Sequence, residues 1–496
     1  MTTEHAVERW AVYETTIHSS EAVGNPYRDV WLLVVFRNGD RVVKTDGFYD
    51  GNGVYKIRFM PDSVGRWVFS TKSNMPSMDG ITGEFECMDP GSGNHGMVRT
   101  VSQDHFEYED GTPYMPFGTT CYAWIHQSEP VQDETLAVLK ASPFNKIRMC
   151  VFPKRYAFNT AEPELFPFQG SKELGFDLER FEPRFFQKLE RRIKQLGDMG
   201  IEADIILFHP YDKGHWGFDR MSAEHDEAYL RYVIARLSAY RNVWWSLANE
   251  YDFMREKRTE DWDRFFQIVQ QHDPYQHLRS IHNGTKMYDP SSLNLYDHAK
   301  PWVDHVSLQH WDLTATDAIR RKYNKPVVID ECCYEGDIPR RWGNITGEEM
   351  THRFWEGMAR GGYVGHGETY LHQDNIIWWS HGGQLRGTSP ERIRFLRRIL
   401  KDAPGKPVVL DTVKDVPAIG MEGGYYLLYF GVHRPAIFPL ELPEGKEFTA
   451  EVIDTQKMTI ERLEGTYSGA CSIPLPARPY LALRIRLLDP AAMNGQ

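Results

Sequence analysis

Val243-Trp-Trp-Ser-Leu-Ala-Asn249-Glu250 is the stretch on which the reading of this chain turns. Uncharged, mostly apolar residues run without a break into an amide and a carboxylate. A short run of this kind fits a strand covered on both faces, the condition of parallel strands under helices. Lys325-Pro-Val-Val-Ile-Asp330-Glu331 repeats the pattern. Working outward, further apolar runs fall at 116–124, 145–153, 202–210, 278–284, 305–311 and 363–370. Segments of helical period separate them. Phe185, Leu189, Ile193 and Leu196 share one face, as do Leu230, Val233, Ile234 and Leu237. Trp262, Phe265, Phe266 and Val269 repeat in the same way, and Ile393, Leu396 and Leu400 more loosely. Asp133 and Ser389 stand where N-caps are expected, and Gly200 follows a helix as a stop. Eight strands alternating with helices predict an α/β fold of the (β/α)8 TIM-barrel class. A doubly wound open sheet is disfavoured, because no glycine-rich phosphate turn follows the first strand.

The flanks read differently. Before the barrel, short strands at 30–36, 55–59, 67–69 and 85–87 are parted by turns such as Arg37-Asn-Gly-Asp40, which predicts an N-terminal β-sandwich. After Pro404-Gly405 the helices stop, and strands at 425–430, 449–453, 458–462 and 480–487 predict a small C-terminal β domain. In the last strand Leu481, Leu483, Ile485 and Leu487 alternate with Ala482, Arg484 and Arg486. The expected division is 1–92, 93–404 and 405–496. Hydrophobic residues at 41% and charged residues at 25% are the balance of a chain with a large core, which excludes a disordered regulator. A net charge of −12 argues against tracking nucleic-acid phosphates or an anionic membrane. No apolar stretch approaches the roughly 20 residues of a membrane span. Cys87, Cys121, Cys150, Cys332, Cys333 and Cys471 share no spacing and read as buried thiols in a reducing compartment. The start lacks a basic segment followed by an apolar run, so no secretory signal is read and a cytoplasmic location is expected.

In a barrel of this class, the carboxyl ends of the strands surround the site. Glu250 and Glu331 end the fourth and seventh strands, three apart in a ring of eight, and so face one another across the mouth. Two facing carboxylates suit glycoside hydrolysis: one protonates the leaving oxygen, and the other attacks the anomeric carbon or directs water to it. A separation of about 5–5.5 Å gives retention and about 6.5–9.5 Å inversion, a choice that residue order leaves open. Asn249 offers an amide donor suited to a sugar 2-hydroxyl. Arg148, on the second strand, is placed to keep Glu331 ionised, which leaves Glu250 as the protonated partner.

These residues resemble the retaining (β/α)8 clan of glycoside hydrolases. The whole chain resembles bacterial three-domain members with an N-terminal Ig-like domain, an apiosidase- and family-5-like barrel and a small C-terminal β domain. Asn25-Pro26, Gly47-Phe-Tyr-Asp-Gly51, Arg58-Phe-Met-Pro61 and Gly65-Arg-Trp67 carry the first part. Gly111-Thr-Pro-Tyr-Met-Pro-Phe-Gly-Thr-Thr120 and Gly365-His-Gly-Glu-Thr-Tyr370 carry the barrel. The resemblance implies Glu250 as acid/base, Glu331 as nucleophile, and Arg148 and Asn249 as their supports. His310 is then close to the nucleophile or the sugar. The pair Cys332-Cys333 directly after Glu331 departs from the pattern. Glu335 and Glu368 are rival carboxylates and rank below Glu331, one lying well into its loop and the other following a glycine.

His209, His282, His310 and His366 also end strands. No His-x-His pair opens the first strand and no His-Glu-x-x-His occurs, so no metal and no cofactor are expected. His209, His310 and His366 are candidate sugar contacts. Trp124, Trp311 and Trp378, in loops after strands, are candidate stacking platforms; Trp216 shares that placement, whereas Trp245 belongs to the core. The expected activity is a retaining, exo-acting hydrolase of short oligosaccharides or small glycosides. A carbohydrate-binding barrel without turnover and a metal-dependent barrel hydrolase are the alternatives. The three-part build permits a homo-oligomer and does not require one.

Overall fold

A computed structural model describes residues 6–284, 294–374 and 376–488. The first five and last eight residues, which the expected terminal domains include, lie outside the described part. The barrel strands are β1 (Gly118–Thr120), β2 (Lys146–Cys150), β3 (Glu202–Phe208), β4 (Val243–Ala248), β5 (Arg279–Ser280), β6 (Val306–Gln309), β7 (Val327–Glu331) and β8 (Tyr363–His366). They form one parallel sheet in the order β5-β4-β3-β2-β1-β8-β7-β6. A parallel bridge from His282 to Ser307 joins its two edges and closes the ring. Every residue of β2, β3, β4 and β7 is buried, which is why these strands read as unbroken apolar runs.

Around the ring lie α1 (Glu129–Ala141), α2 (Pro183–Asp198), α3 (Ala223–Leu237), α4 (Thr259–His272), α5 (Thr316–Tyr323), α6 (Gly347–Ala359), the short α7 (Trp378–His381) and α8 (Ser389–Lys401). The faces expected to be apolar are the buried ones in α2, α3, α4 and α8. Two cap positions differ from expectation. α1 starts four residues before Asp133, at Ser128-Glu129-Pro130, because the proline has its φ preset for the first turn. Asp133 instead pairs with Arg192, 2.6 Å away. α8 begins at Ser389 with Thr388 as its flanking residue.

The N-terminal part is a two-sheet β-sandwich. A five-stranded sheet built around Leu32–Asn38 and Gly65–Ser73 faces a three-stranded one built around Val54–Phe59. Their inner faces meet in stacked rings, Phe36 on Phe59 at 4.0 Å and Tyr13 on Phe85 at 4.0 Å. Arg58 leaves this core toward the barrel. Its Nη2 donates to Glu190 of α2 at 2.8 Å and its Nη1 to the Arg236 carbonyl of α3 at 2.7 Å. Arg236 returns to Asp50 at 2.8 Å. Asp50 and Arg58 therefore anchor the sandwich to the helices. A meander at Val98–Thr100, Phe106–Tyr108 and Pro113–Tyr114 then seals the lower end of the barrel, Phe106 and Tyr114 packing on Trp244.

The C-terminal part is a six-stranded antiparallel-paired sheet with a separate hairpin, Ile437–Glu441 against Ala470–Pro474. Apolar residues alternate along Leu481–Leu487, and residues 481–485 are all buried. Leu481, Leu483 and Ile485 face the domain's own core, while Ala482, Tyr425, Leu427 and Tyr429 on the other side join the barrel core. Tyr429 stacks on Trp355 of α6 at 5.6 Å. Arg484 is tolerated there because its Nε reaches Glu451 at 2.6 Å. All six cysteines are free thiols; five are buried as expected, whereas Cys471 is half-buried. No described helix is long and apolar enough to cross a membrane.

Candidate active site

The floor of the site is a layer of charge inside the barrel. Lys146 Nζ lies 2.6 Å from Asp204 Oδ2 and 2.9 Å from Asp330 Oδ1, and Ser307 donates to Asp330 Oδ2 at 2.6 Å. Arg148 Nε sits 3.4 Å from Asp204 and 3.9 Å from Asp330. Two cations and two anions balance, the arrangement burial demands of charges. Burial opposes ionisation of Asp330, yet Lys146 and then Arg148 hold its carboxyl well below the usual range.

Glu331, the last residue of β7, rises directly above this layer. Tyr122, two residues beyond β1, donates to Glu331 Oε1. The same hydroxyl is 3.2 Å from Asn249 Oδ1. A phenol has one proton, so an Asn249 amide turned to present its NH2 completes the pair. His282 Nε2 lies 3.5 Å from Glu331 Oε1, and its Nδ1 lies 3.2 Å from Ser307 Oγ. Burial alone pushes Glu331 up. The His282 hydrogen bond and charge, then Arg148 and Tyr122, overturn that and bring the carboxyl from 4.5 to about 2. Arg148 thus acts on Glu331 by charge, while its ion pairs are with Asp204 and Asp330.

Glu250 follows β4 in a left-handed conformation, φ 51° and ψ 51°, sparsely populated by residues with a Cβ. Its side chain is driven the opposite way from Glu331. Burial first, and then the Glu331 charge, push its carboxyl well above 4.5, with Lys154 pulling against them. Its Oε2 has no hydrogen-bond partner among the described residues. Gly284 gives Glu250 its space: a Cβ at 284 would lie 2.5 Å from Glu250 Cβ and 2.8 Å from Phe253 Cδ2. Gly284→Ala is expected to displace the Glu250 side chain and lower kcat by about 10²-fold, the scale of a 1 Å misplacement. Circular dichroism and steady-state rates check that the fold survives the loss.

Lys154, four residues beyond β2, is buried beside both glutamates. Its Nζ lies 3.9 Å from the Tyr122 ring centroid and 4.2 Å from those of Tyr211 and Trp379. Three ring faces around one ammonium supply part of what water would have given it. Burial lowers its pKa, and Glu250 and Glu331 oppose the drop.

The structure gathers Glu250, Glu331, Asn249 and Arg148 and disperses most of the other candidates. His209 is a wall residue, its Nε2 at 3.1 Å from the Phe152 carbonyl and its Nδ1 accepting from Tyr211 N at 3.1 Å. His310 holds the strand end: its backbone N–H donates to the Glu331 carbonyl at 3.0 Å, and its Nδ1 accepts from Asp312 N at 3.0 Å. Trp124 is wholly buried in the barrel core. Trp311 turns to a crevice of about 310 Å³ against the C-terminal sheet, with His352 and Tyr429. Trp378 is also core, donating from Nε1 to Thr119 at 2.8 Å. The indole of the next residue, Trp379, faces Tyr122 instead. His366 points away from the glutamates, stacked on Phe144 at 4.5 Å. Tyr122, Lys154, His282 and Trp379 were not singled out as site residues. Only His282, as a histidine ending a strand, carried a local signal.

Turnover with Glu331 ionised and Glu250 protonated requires kcat/KM to fall on the acid side as Glu331 gains its proton. Replacing His282 by Gln removes the strongest influence holding Glu331 down. The acidic limb is then expected to move up from near pH 2 toward 4.5. Matched pH–rate profiles of the two proteins check this, and an unmoved limb would contradict the role given to His282.

A family model described as the apiosidase-like catalytic domain matches residues 101–399. Domains of unknown function match on either side, DUF5060 over 6–74 and DUF5605 over 414–486. A crystal structure from Bacteroides vulgatus ATCC 8482, described as a "putative glycoside hydrolase", is 39% identical and superposes with a TM-score of 0.92 over 98% of this chain and 100% of that one. A family 5 glycoside hydrolase from the same organism shares the fold, at 16% identity and a TM-score of 0.59 over 80% of this chain and 94% of that one. No curated protein matches the sequence significantly. The chain belongs to the apiosidase-like family and is a glycoside hydrolase built on a TIM barrel.

Proposed function

We propose that this glycoside hydrolase works with retention, by double displacement, and removes terminal sugars from short oligosaccharides or small glycosides. Glu331 attacks the anomeric carbon and forms a glycosyl-enzyme. Glu250 protonates the departing oxygen and then takes a proton from the incoming water. The observation that carries the assignment of the two roles is the opposite bias of two carboxylates in one buried cluster, and retention rests on the resemblance to the retaining clan. Glu331 is held ionised by His282, Arg148 and Tyr122, while Glu250 is kept protonated by burial and by the charge of Glu331. Environments that split a carboxyl pair in this way assign the acid and the base. Tyr122 between Asn249 and Glu331 further suits a nucleophile whose orientation is fixed before substrate arrives.

Recession of the pair supports exo action on short substrates. Glu250 is 6% exposed and Glu331 5%, so a chain end reaches them more readily than the middle of a polymer. The flanking sandwich and C-terminal sheet serve as scaffolds, with divisions near 92/93 and 404/405 that the three family matches support. A panel of nitrophenyl glycosides followed by NMR of the first-formed sugar tests the mechanism. Release of the substrate's own anomer is expected, and release of the opposite anomer would replace double displacement with direct attack by water. Cleavage of long polysaccharide without action on disaccharides would overturn exo action.

A further inference from the structure

Behind β8, away from the two glutamates of the site, a second polar cluster lies in the wall between the barrel and α8. The two-residue pairing of Glu335–Gly336 with Glu368–Thr369 sets Glu335 opposite Glu368. His366 ends β8 beside them. One ligand-type atom from each of the three lies within 4.8 Å of the others, and all three residues are buried.

Two atoms of the cluster have no hydrogen-bond partner among the described residues: His366 Nε2 and Glu368 Oε2, 3.9 Å apart. The residues that bear them are 0% and 1% exposed. Buried polar atoms are seldom left in this state. Everything else around the gap is held in place. His366 Nδ1 is 3.0 Å from Thr119 Oγ1, a contact that, with Nδ1 protonated, leaves the Nε2 lone pair facing the gap. Glu368 Oε1 accepts from Arg386 N. Glu335 Oε1 accepts from Thr388 N at 2.7 Å, the Tyr370 hydroxyl at 3.1 Å and the Thr388 hydroxyl at 3.4 Å, and its Oε2 from Ser389 N at 3.1 Å and the Ser389 hydroxyl at 2.5 Å, all neutral donors. Gly387 closes the last side: a Cβ there would lie 2.4 Å from Glu335 Oε2 and 2.6 Å from Glu368 Oε2. Two carboxylates and an imidazole lone pair thus converge on one gap.

We propose that Glu335, His366 and Glu368 form a buried structural site for one divalent metal ion of zinc-like character. One imidazole and two carboxylates suit a borderline ion. Calcium needs six to eight oxygens and magnesium keeps several waters, and this enclosed gap offers neither. Zinc bonds of about 2.0–2.2 Å require only a small drawing-in of the three atoms. Thr119, Arg386, Thr388 and Ser389 are the outer partners that hold such ligands in register. A +2 ion balances two carboxylates without a proton and fastens the β7 and β8 loops to the start of α8. No step of the hydrolysis is assigned to it.

The test uses the full chain, stripped with a chelator, then given one equivalent of Zn2+ or Co2+ and desalted. One retained equivalent by elemental analysis is expected, with visible d–d absorbance for the cobalt form and a higher melting temperature for the zinc form. His366→Gln and Glu368→Gln keep size and hydrogen-bonding capacity and are expected to lose that equivalent and the cobalt bands. If the wild type retains well below one equivalent, the proposal fails. It also fails if the variants retain as much metal as the wild type. Should both variants misfold, the wild-type cobalt spectrum decides by its presence or absence.

Discussion

Glu331→Gly is expected to abolish turnover, by about 10⁵-fold or more on the scale of a lost nucleophile, and added azide is expected to restore it. The substitution leaves a hole next to Tyr122 and His282, both of which faced the lost carboxylate. Azide is small, anionic and nucleophilic, and that hole retains a phenol proton, an imidazole and the positive field of Arg148. On an aryl glycoside with a good leaving group, Glu250 is not needed for departure. The rescued reaction should give a glycosyl azide of inverted configuration, because the azide attacks from the face that Glu331 occupied. The wild type should release the retained anomer, which separates this outcome from an inverting enzyme that has lost its base. Turnover that survives without azide would remove Glu331 from the nucleophile's role.

The barrel was legible because its strands are buried on both faces, so that 243–250 and 325–331 read as apolar runs ending on their carboxylates. What such runs hide is direction. Lys146, Arg148, Asp204 and Asp330 sit within strands that looked apolar, and their charges become a balanced layer only when the ring closes. The C-terminal strand 481–487 hides its surroundings for a related reason. Its alternation is real, yet both faces are covered, one of them by α6, with Arg484 paired to Glu451.

The two glutamates and Asn249 were legible from strand ends, but their neighbours were not. Trp378 and Trp379 show why. They are adjacent in a four-residue helix, and the turn of its backbone sends one indole to Thr119 and the other to Tyr122. No period in the sequence specifies which ring faces the cleft. A lysine after a proline reads as solvated, and only the rings of Tyr122, Tyr211 and Trp379 make a buried ammonium at 154 tolerable. Glu335, ranked as a rival nucleophile, is instead turned onto the first turn of α8, accepting from the Thr388 and Ser389 backbone, an interaction that depends on loops far apart in sequence.

Glu250→Ala is expected to separate substrates by leaving group. Positioned acid catalysis contributes about 10²–10⁴-fold, so cleavage of alkyl glycosides and disaccharides should fall by that factor. Dinitrophenyl glycosides depart without a proton, and formation of their glycosyl-enzyme should be nearly unaffected. The second half of the reaction still lacks its base, because Glu250 also activates the water. The intermediate should therefore accumulate, visible as a burst of nitrophenol followed by slow turnover. Azide needs no base and should relieve that block, but with retained configuration, since Glu331 is still present and the azide displaces it from the far side. Opposite azide anomers from the two variants thus assign the two carboxylates independently of any pKa. The normal basic limb, set by a Glu250 carboxyl held well above 4.5, should vanish in Glu250→Ala while the acidic limb set by Glu331 persists. Equal losses on dinitrophenyl and alkyl glycosides would instead show that Glu250 positions the substrate and donates no proton.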